Sequence, residues 1–157
     1  MNIILRYFLC VFLLAAGANV FAQQTGLVTK VQKFKPPVVK SYLGVNQNGA
    51  QVTLTEGMQL IGLPIKVVDA TNHAYPIDSY QFLYKEKGMR RNVETGKKET
   101  SFSIVSDRFK ESPIPKVWIN NIKDRLQKDE EIYFFDIVVT DKEGRKFFAP
   151  DLKITIK

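Results

Sequence analysis

The chain has 157 residues, 45% of them hydrophobic and 25% charged, with a net charge of +7, one cysteine and one histidine. Those two single residues exclude a disulfide framework within the chain and a multi-histidine metal centre, and the length gives one ordinary domain or two small ones. No internal repeat or low-complexity tract occurs.

The first 22 residues read as a secretory signal peptide. Arg6 precedes the apolar run Tyr7 to Ala18, and Val20-Phe21-Ala22 offers compact residues at the recognition positions ahead of Gln23. The run is short of the roughly 20 apolar residues that span a bilayer. Leu9 before Cys10 is not the small residue that lipidation wants. Cleavage would leave 135 residues, remove the only cysteine and lower the net charge to +6 through loss of Arg6. An exported chain without a thiol must rely on packing.

Gln23 to Pro37 reads as a flexible lead-in with Lys30, Lys33 and Lys35, closed by Pro36-Pro37, and 38–157 as a single β-rich domain. Short runs with turn residues between them follow: Val38 to Leu43, the turn signal Asn48-Gly49, Ala50 to Thr55, and the branched block Met58 to Asp69, with an irregular start at Pro64. YQFLY (Tyr80 to Tyr84) and SFSIV (Ser101 to Val105) alternate as strands do. Between them Lys85 to Lys98 carries eight charged side chains, six of them basic, and reads as a long connection or a protruding ribbon. Lys85, Lys87, Arg90, Arg91, Lys97 and Lys98 are its candidate interaction surface, a rim of charge that steers an acidic partner or simply keeps the chain soluble.

The helical signal is Ser112 to Leu126, with Ser112 placed to cap it and Trp118, Ile119, Ile122 and Leu126 forming an apolar stripe. In Ile132 to Thr140, strict alternation puts Tyr133, Phe135, Ile137 and Val139 on a core face and Ile132, Phe134 and Asp136 on the other. Asp141 to Gly144 reads as a reversal, and Lys146 to Ala149 and Leu152 to Ile156 as returning strands. Together these predict a mainly β fold: a β-sandwich with one helical connection, or an open antiparallel sheet with one packed helix.

Chemistry finds few residues to work with. His73 lies in a turn-like stretch beside Asp69 and Asp78, without HExxH, a GxSxG elbow or a glycine-rich phosphate loop anywhere. The consecutive acids Asp129, Glu130 and Glu131 do not follow a calcium-loop pattern. No catalytic residue, metal ligand or cofactor is therefore expected, and the basic segment lacks the aromatic platform that single-stranded nucleic acid needs.

The order YQFLY, SDRFK (Ser106 to Lys110), IKDRLQKDEE (Ile122 to Glu131), IYFFDI (Ile132 to Ile137) and DKEGR (Asp141 to Arg145) resembles the C-terminal periplasmic domain of the GldM family, a gliding-motility and type IX secretion component of Bacteroidetes-type envelopes. KPPVVKSYLG (Lys35 to Gly44) is similar to that family's linker. Asp129-Glu130 stands where the family has Gly-Asp, and DKEG where it has G-P-D-G. The resemblance covers most of the mature chain but only the last portion of the longer family protein, so a motor-coupled transmembrane role does not transfer. It implies an immunoglobulin-like scaffold for protein contact in the periplasm or at the outer membrane. It also implies fold-maintaining roles for Tyr133, Phe134, Asp136, Ile137 and Gly144. The expected function is a non-enzymatic, exported interaction or structural module, with another envelope protein as partner. The alternative is a small carbohydrate- or anion-binding domain.

Overall fold

Alternating branched and aromatic residues make the strands here, and glycine or aspartate ends them. The structure, a computed structural model, describes residues 33–157; the expected signal peptide 1–22 and the lead-in up to residue 32 lie outside the described residues. Lys35–Lys157 is one compact unit. In chain order it holds β1 (Val39–Leu43), β2 (Ala50–Val52), α1 (Leu54–Leu60), β3 (Ile65–Asp69), β4 (Ile77–Arg91), β5 (Lys98–Phe109), α2 (Lys116–Lys123), β6 (Glu131–Thr140), β7 (Lys146–Phe148) and β8 (Leu152–Ile156).

The main sheet runs β2-β8-β6-β4-β5, with β7 added to β6, and β1 pairs with β3 in a separate ribbon. Among the described residues the fold is mainly β, with open sheets and no closed barrel. It follows the open-sheet form of the expectation, with a second helix and with one parallel pair, β2 beside β8. Cross-strand partners share a face. Phe82 opposite Phe134 and Phe134 opposite Leu152 therefore define one side of the sheet, which Tyr80, Tyr84, Ile132 and Ile154 continue, all buried. Both helices cover this side. Trp118 of α2 meets Phe82 and Phe109 edge-on at 5.7 and 5.5 Å. A Cβ on Gly57 of α1 would lie 2.6 Å from Ile156 Cδ1, so only glycine lets that helix approach so closely.

Asp136 changes the reading of β6. Ile132, Phe134, Ile137 and Val139 are buried, whereas Tyr133 and Phe135 are half-buried and Asp136 is exposed. Strict alternation therefore misplaced Tyr133 and Phe135 on the core face, and Ile132 and Phe134 off it. Asp136 has φ +48, and pairing with β4 slips by one residue between Phe135 and Val138. The extra residue is a β-bulge, and it returns Ile137 and Val139 to the side already occupied by Ile132 and Phe134. Aspartate is one of the few side chains that tolerates the left-handed region. A second slip falls at Asp78 of β4, and Ser79 and Tyr80 beyond it are both buried.

Two further expectations are corrected. Thr55 and Met58 to Leu60 are helical: Thr53 accepts from the Glu56 N–H while the Glu56 carboxylate accepts from the Thr53 N–H at 2.8 Å, a capping box that nucleates α1. α2 begins at Lys116, because Ser112 is used elsewhere, its Oγ accepting from the Ile65 N–H at 2.8 Å. Leu126 stays buried in the turn after the helix. The Asp141 to Gly144 reversal forms as expected, with Gly144 at φ +77 and the Asp141 carboxylate accepting from the Glu143 and Arg145 N–H groups.

Candidate interaction surface

The charged mid-chain segment is ordered as the end of a long hairpin. β4 and β5 pair without a slip from Tyr80 opposite Phe109 to Arg91 opposite Lys98. β6 accompanies β4 only as far as Lys85. Beyond that point Glu86 to Arg91 and Lys98 to Ser103 project as a two-stranded ribbon. Its tip is a built turn: Asn92 and Lys97 bond across it at 2.8 Å, Gly96 sits at φ +67, and the Asn92 side chain accepts from Glu94 and Thr95.

The six basic candidates do not form one surface. Lys85 pairs with Glu131 at 3.0 Å and lies 4.6 Å over the Phe102 ring, and Lys87 pairs with Asp129 at 2.7 Å. These two are held at the base of the ribbon by local acids. Arg91 donates to the Gly96 carbonyl at 2.9 Å. Among the described residues the ion-paired cations are Lys85, Lys87, Arg125, Arg145, Lys146 and Lys153, and Arg90, Lys97 and Lys98 make no such pair.

The acids at the base of the ribbon point three ways, as consecutive residues must. Asp129, at φ +73, turns out to Lys87. Glu131 bridges Lys85 and Lys153, and its carboxyl is held below the ordinary range first by the Lys153 hydrogen bond. Glu130 is fully buried and accepts from the Tyr84 hydroxyl, the Lys87 N–H and the Gln127 N–H, the last two at 2.8 Å. Burial, then the bond to Glu130, raises the Tyr84 phenol above its ordinary 10. Among the described residues no group of three or more His, Cys, Asp and Glu side chains is gathered to hold a metal.

His73 is a turn residue: its N–H donates to Asp69 Oδ1 and its ring packs edge-on against Tyr75 at 5.0 Å. Asp69 caps that turn, accepting also from Thr71 and the Tyr75 hydroxyl, and this lowers its carboxyl from 3.8 to about 2, the Thr71 side-chain bond acting most. Tyr80 and Tyr84 are buried and Trp118 is half-buried between helix and sheet, so these three do not line an exposed aromatic groove.

The residues that sequence reasoning passed over are apolar. Met89, Phe102, Ile104 and Val105 are 64, 47, 65 and 41% exposed. β5 ends the sheet with its outer edge unpaired among the described residues. Its central segment Thr100 to Ser106 contains no charge, and that gap between Glu99 and Asp107 was the available signal. Beside Val105 a notch of about 160 Å³ opens between β5 and α2, lined by Tyr84, Val105, Trp118, Asn121, Ile122 and Arg125. It is smaller than the ~300–1,000 Å³ of small-molecule sites.

The class so defined is a mainly β domain that carries a projecting hairpin and an exposed sheet edge. No family model matches the chain, and comparison with curated proteins gives no significant match.

Proposed function

We propose that this chain is a non-enzymatic interaction module of an exported, cell-envelope type, whose contact surface is the β4–β5 ribbon and the outer edge of β5. The observation that carries the reading is the coincidence of four exposed apolar side chains with an unpaired edge strand and a cationic tip. Exposed apolar groups rimmed by charge mark contact sites. The signal-like N-terminus supports export, and the GldM-like order of segments supports a role accessory to a secretion or gliding assembly. In that reading Phe134 and Ile137 serve the core, Asp136 the bulge and Gly144 the turn, consistent with scaffold roles for the matched positions.

The test is capture from native envelope extract by the wild-type domain and by a variant with Arg90, Lys97 and Lys98 changed to Glu. A single protein enriched by the first and lost by the second is the expected result. Retention on polysaccharide or anionic matrices through moderate salt, with no protein enriched, would replace the reading by glycan or anion binding; the unpaired tip cations are what favours that alternative.

A further inference from the structure

We propose that β5 is an acceptor for strand addition: an extended segment of a partner protein, apolar at its centre and acidic at its flanks, pairs with Thr100 to Ser106. This deepens the interaction reading above and rests on it.

The backbone direction follows from two hydrogen bonds. In an antiparallel ladder a residue's N–H and C=O point to the same neighbour, and successive residues alternate. The Lys87 N–H donates to Glu130 Oε1, on the β6 side of β4, so Lys87 faces away from β5. Its partner Phe102 therefore directs its own N–H and C=O away from β4, to the open edge. Ile104, Ser106 and Thr100 share that direction. The Arg108 N–H agrees, since it donates to the Asp107 carboxylate at 2.7 Å, which closes that end of the edge. Among the described residues an uncharged stretch of unpaired, alternating donors and acceptors is left at its centre.

Native edges are usually blunted by charge, proline or a bulge. Here those devices are absent from the centre of β5, and the pairing with β4 is regular throughout. The side chains give the occupant its chemistry. Lys98, Thr100, Phe102, Ile104, Ser106 and Arg108 share one face, a cation at each end of an apolar middle. Among the described residues neither Lys98 nor Arg108 has an ion pair, although the Gln81 carboxamide, suitably oriented, accepts from Arg108. An added strand complementary to that row is acidic at both ends and branched between them. On the opposite face, the notch beside Val105 takes one apolar side chain. Backbone pairing supplies affinity and these pockets supply selectivity, as in other edge-strand recognition. A second copy paired two-fold about Ser103, the centre of the uncharged stretch, fits less well, because that register sets Lys98 against Arg108 and Glu99 against Asp107.

The probe is a synthetic peptide long enough to run from Lys98 to Arg108, with glutamate at both ends, valines in the middle and threonines between. Expected results are saturable binding, with exchange of the Phe102, Ile104 and Ser106 amides slowed at least about tenfold. Methylating alternate peptide nitrogens on the bonding edge should weaken binding at least about tenfold, since side-chain chemistry is kept and the ladder is lost. Ile104→Pro should do the same without unfolding the domain, because that N–H makes no bond to β4; Ile104→Lys serves if the proline variant melts early. Equal binding of the methylated peptide, or protection elsewhere, overturns the proposal. So does a dimer in light scattering that Ile104→Pro dissolves, or binding to phosphatidylglycerol vesicles but not to the peptide. If the Ile104→Pro protein still captures a defined envelope protein, strand addition falls and the broader interaction reading survives.

Discussion

Removing the Glu130 carboxylate should be the most damaging single polar change at the ribbon's base. In Glu130→Ala three donors lose their acceptor: the Tyr84 hydroxyl, the Lys87 N–H and the Gln127 N–H. An unsatisfied buried group costs ~1–3 kcal/mol, and water can reach Lys87, so about 3–5 kcal/mol is expected. That is a large part of the ~5–15 kcal/mol that holds a typical domain together. Glu130→Gln should be milder. Its amide oxygen can replace Oε2, which serves Tyr84 and Gln127, leaving one donor-to-donor mismatch at Lys87 and a loss of about 1–2 kcal/mol.

Tyr84→Phe removes one donor and should cost about 1–2 kcal/mol. Combined with Glu130→Ala it should cost less than the two losses added, because the changes share a hydrogen bond. Urea unfolding followed by the fluorescence of Trp118, the sole tryptophan, measures the series. Exchange of the Lys87 amide should speed up in Glu130→Ala. A loss under about 1 kcal/mol for Glu130→Ala, or a larger loss for Glu130→Gln, would refute the assignment of this carboxylate as a shared buried acceptor. In alkali the unfolded chain ionises Tyr84 first, since its folded pKa is raised. That contribution to stability is complete below pH 10 and lost above it.

Asp69, lowered from 3.8 to about 2, contributes stability that is present above pH 3.8 and disappears as pH falls through 2. Asp69→Asn should flatten acid unfolding in that window, and a carboxyl resonance titrating near 4 would contradict it. Gly57→Ala should destabilise by about 1–2 kcal/mol despite alanine's better helix propensity, because the new Cβ overlaps buried Ile156 Cδ1. Adding Ile156→Val, which deletes that atom, should return part of the loss in thermal melts; no recovery would locate the conflict elsewhere. Asp136→Gly should be neutral or stabilising at φ +48, and Asp136→Val should cost about 1–3 kcal/mol. Equal melting temperatures for the two would count against the bulge.

Much of the strand content was legible because period-two patterns in Tyr80 to Tyr84 and Leu152 to Ile156 report local burial directly. α1 was hidden by branched residues, although the T-x-x-E of Thr53 to Glu56 was a sufficient local signal. The start of α2 was misread for a different reason: Ser112 could cap a helix, and only the position of Ile65 shows that it serves β3 instead. On the ribbon, sequence identified the cations but not their partners. Asp129 and Glu131 lie far from Lys87 and Lys85 along the chain, and the β4–β6 register brings them together.

By itself, the sequence determined the mainly β class, the DKEG reversal and the position of the charged segment, all of which depend on nearest neighbours along the chain. Tertiary structure decided which side of β6 is core, that β5 stands at the sheet's edge, and that Phe102 and Ile104 face solvent. A bulge shifts every later side chain by one position, and an edge is defined by the strand that does not follow it. Neither property is carried by the residues of the strand itself; both arise from how distant segments pair.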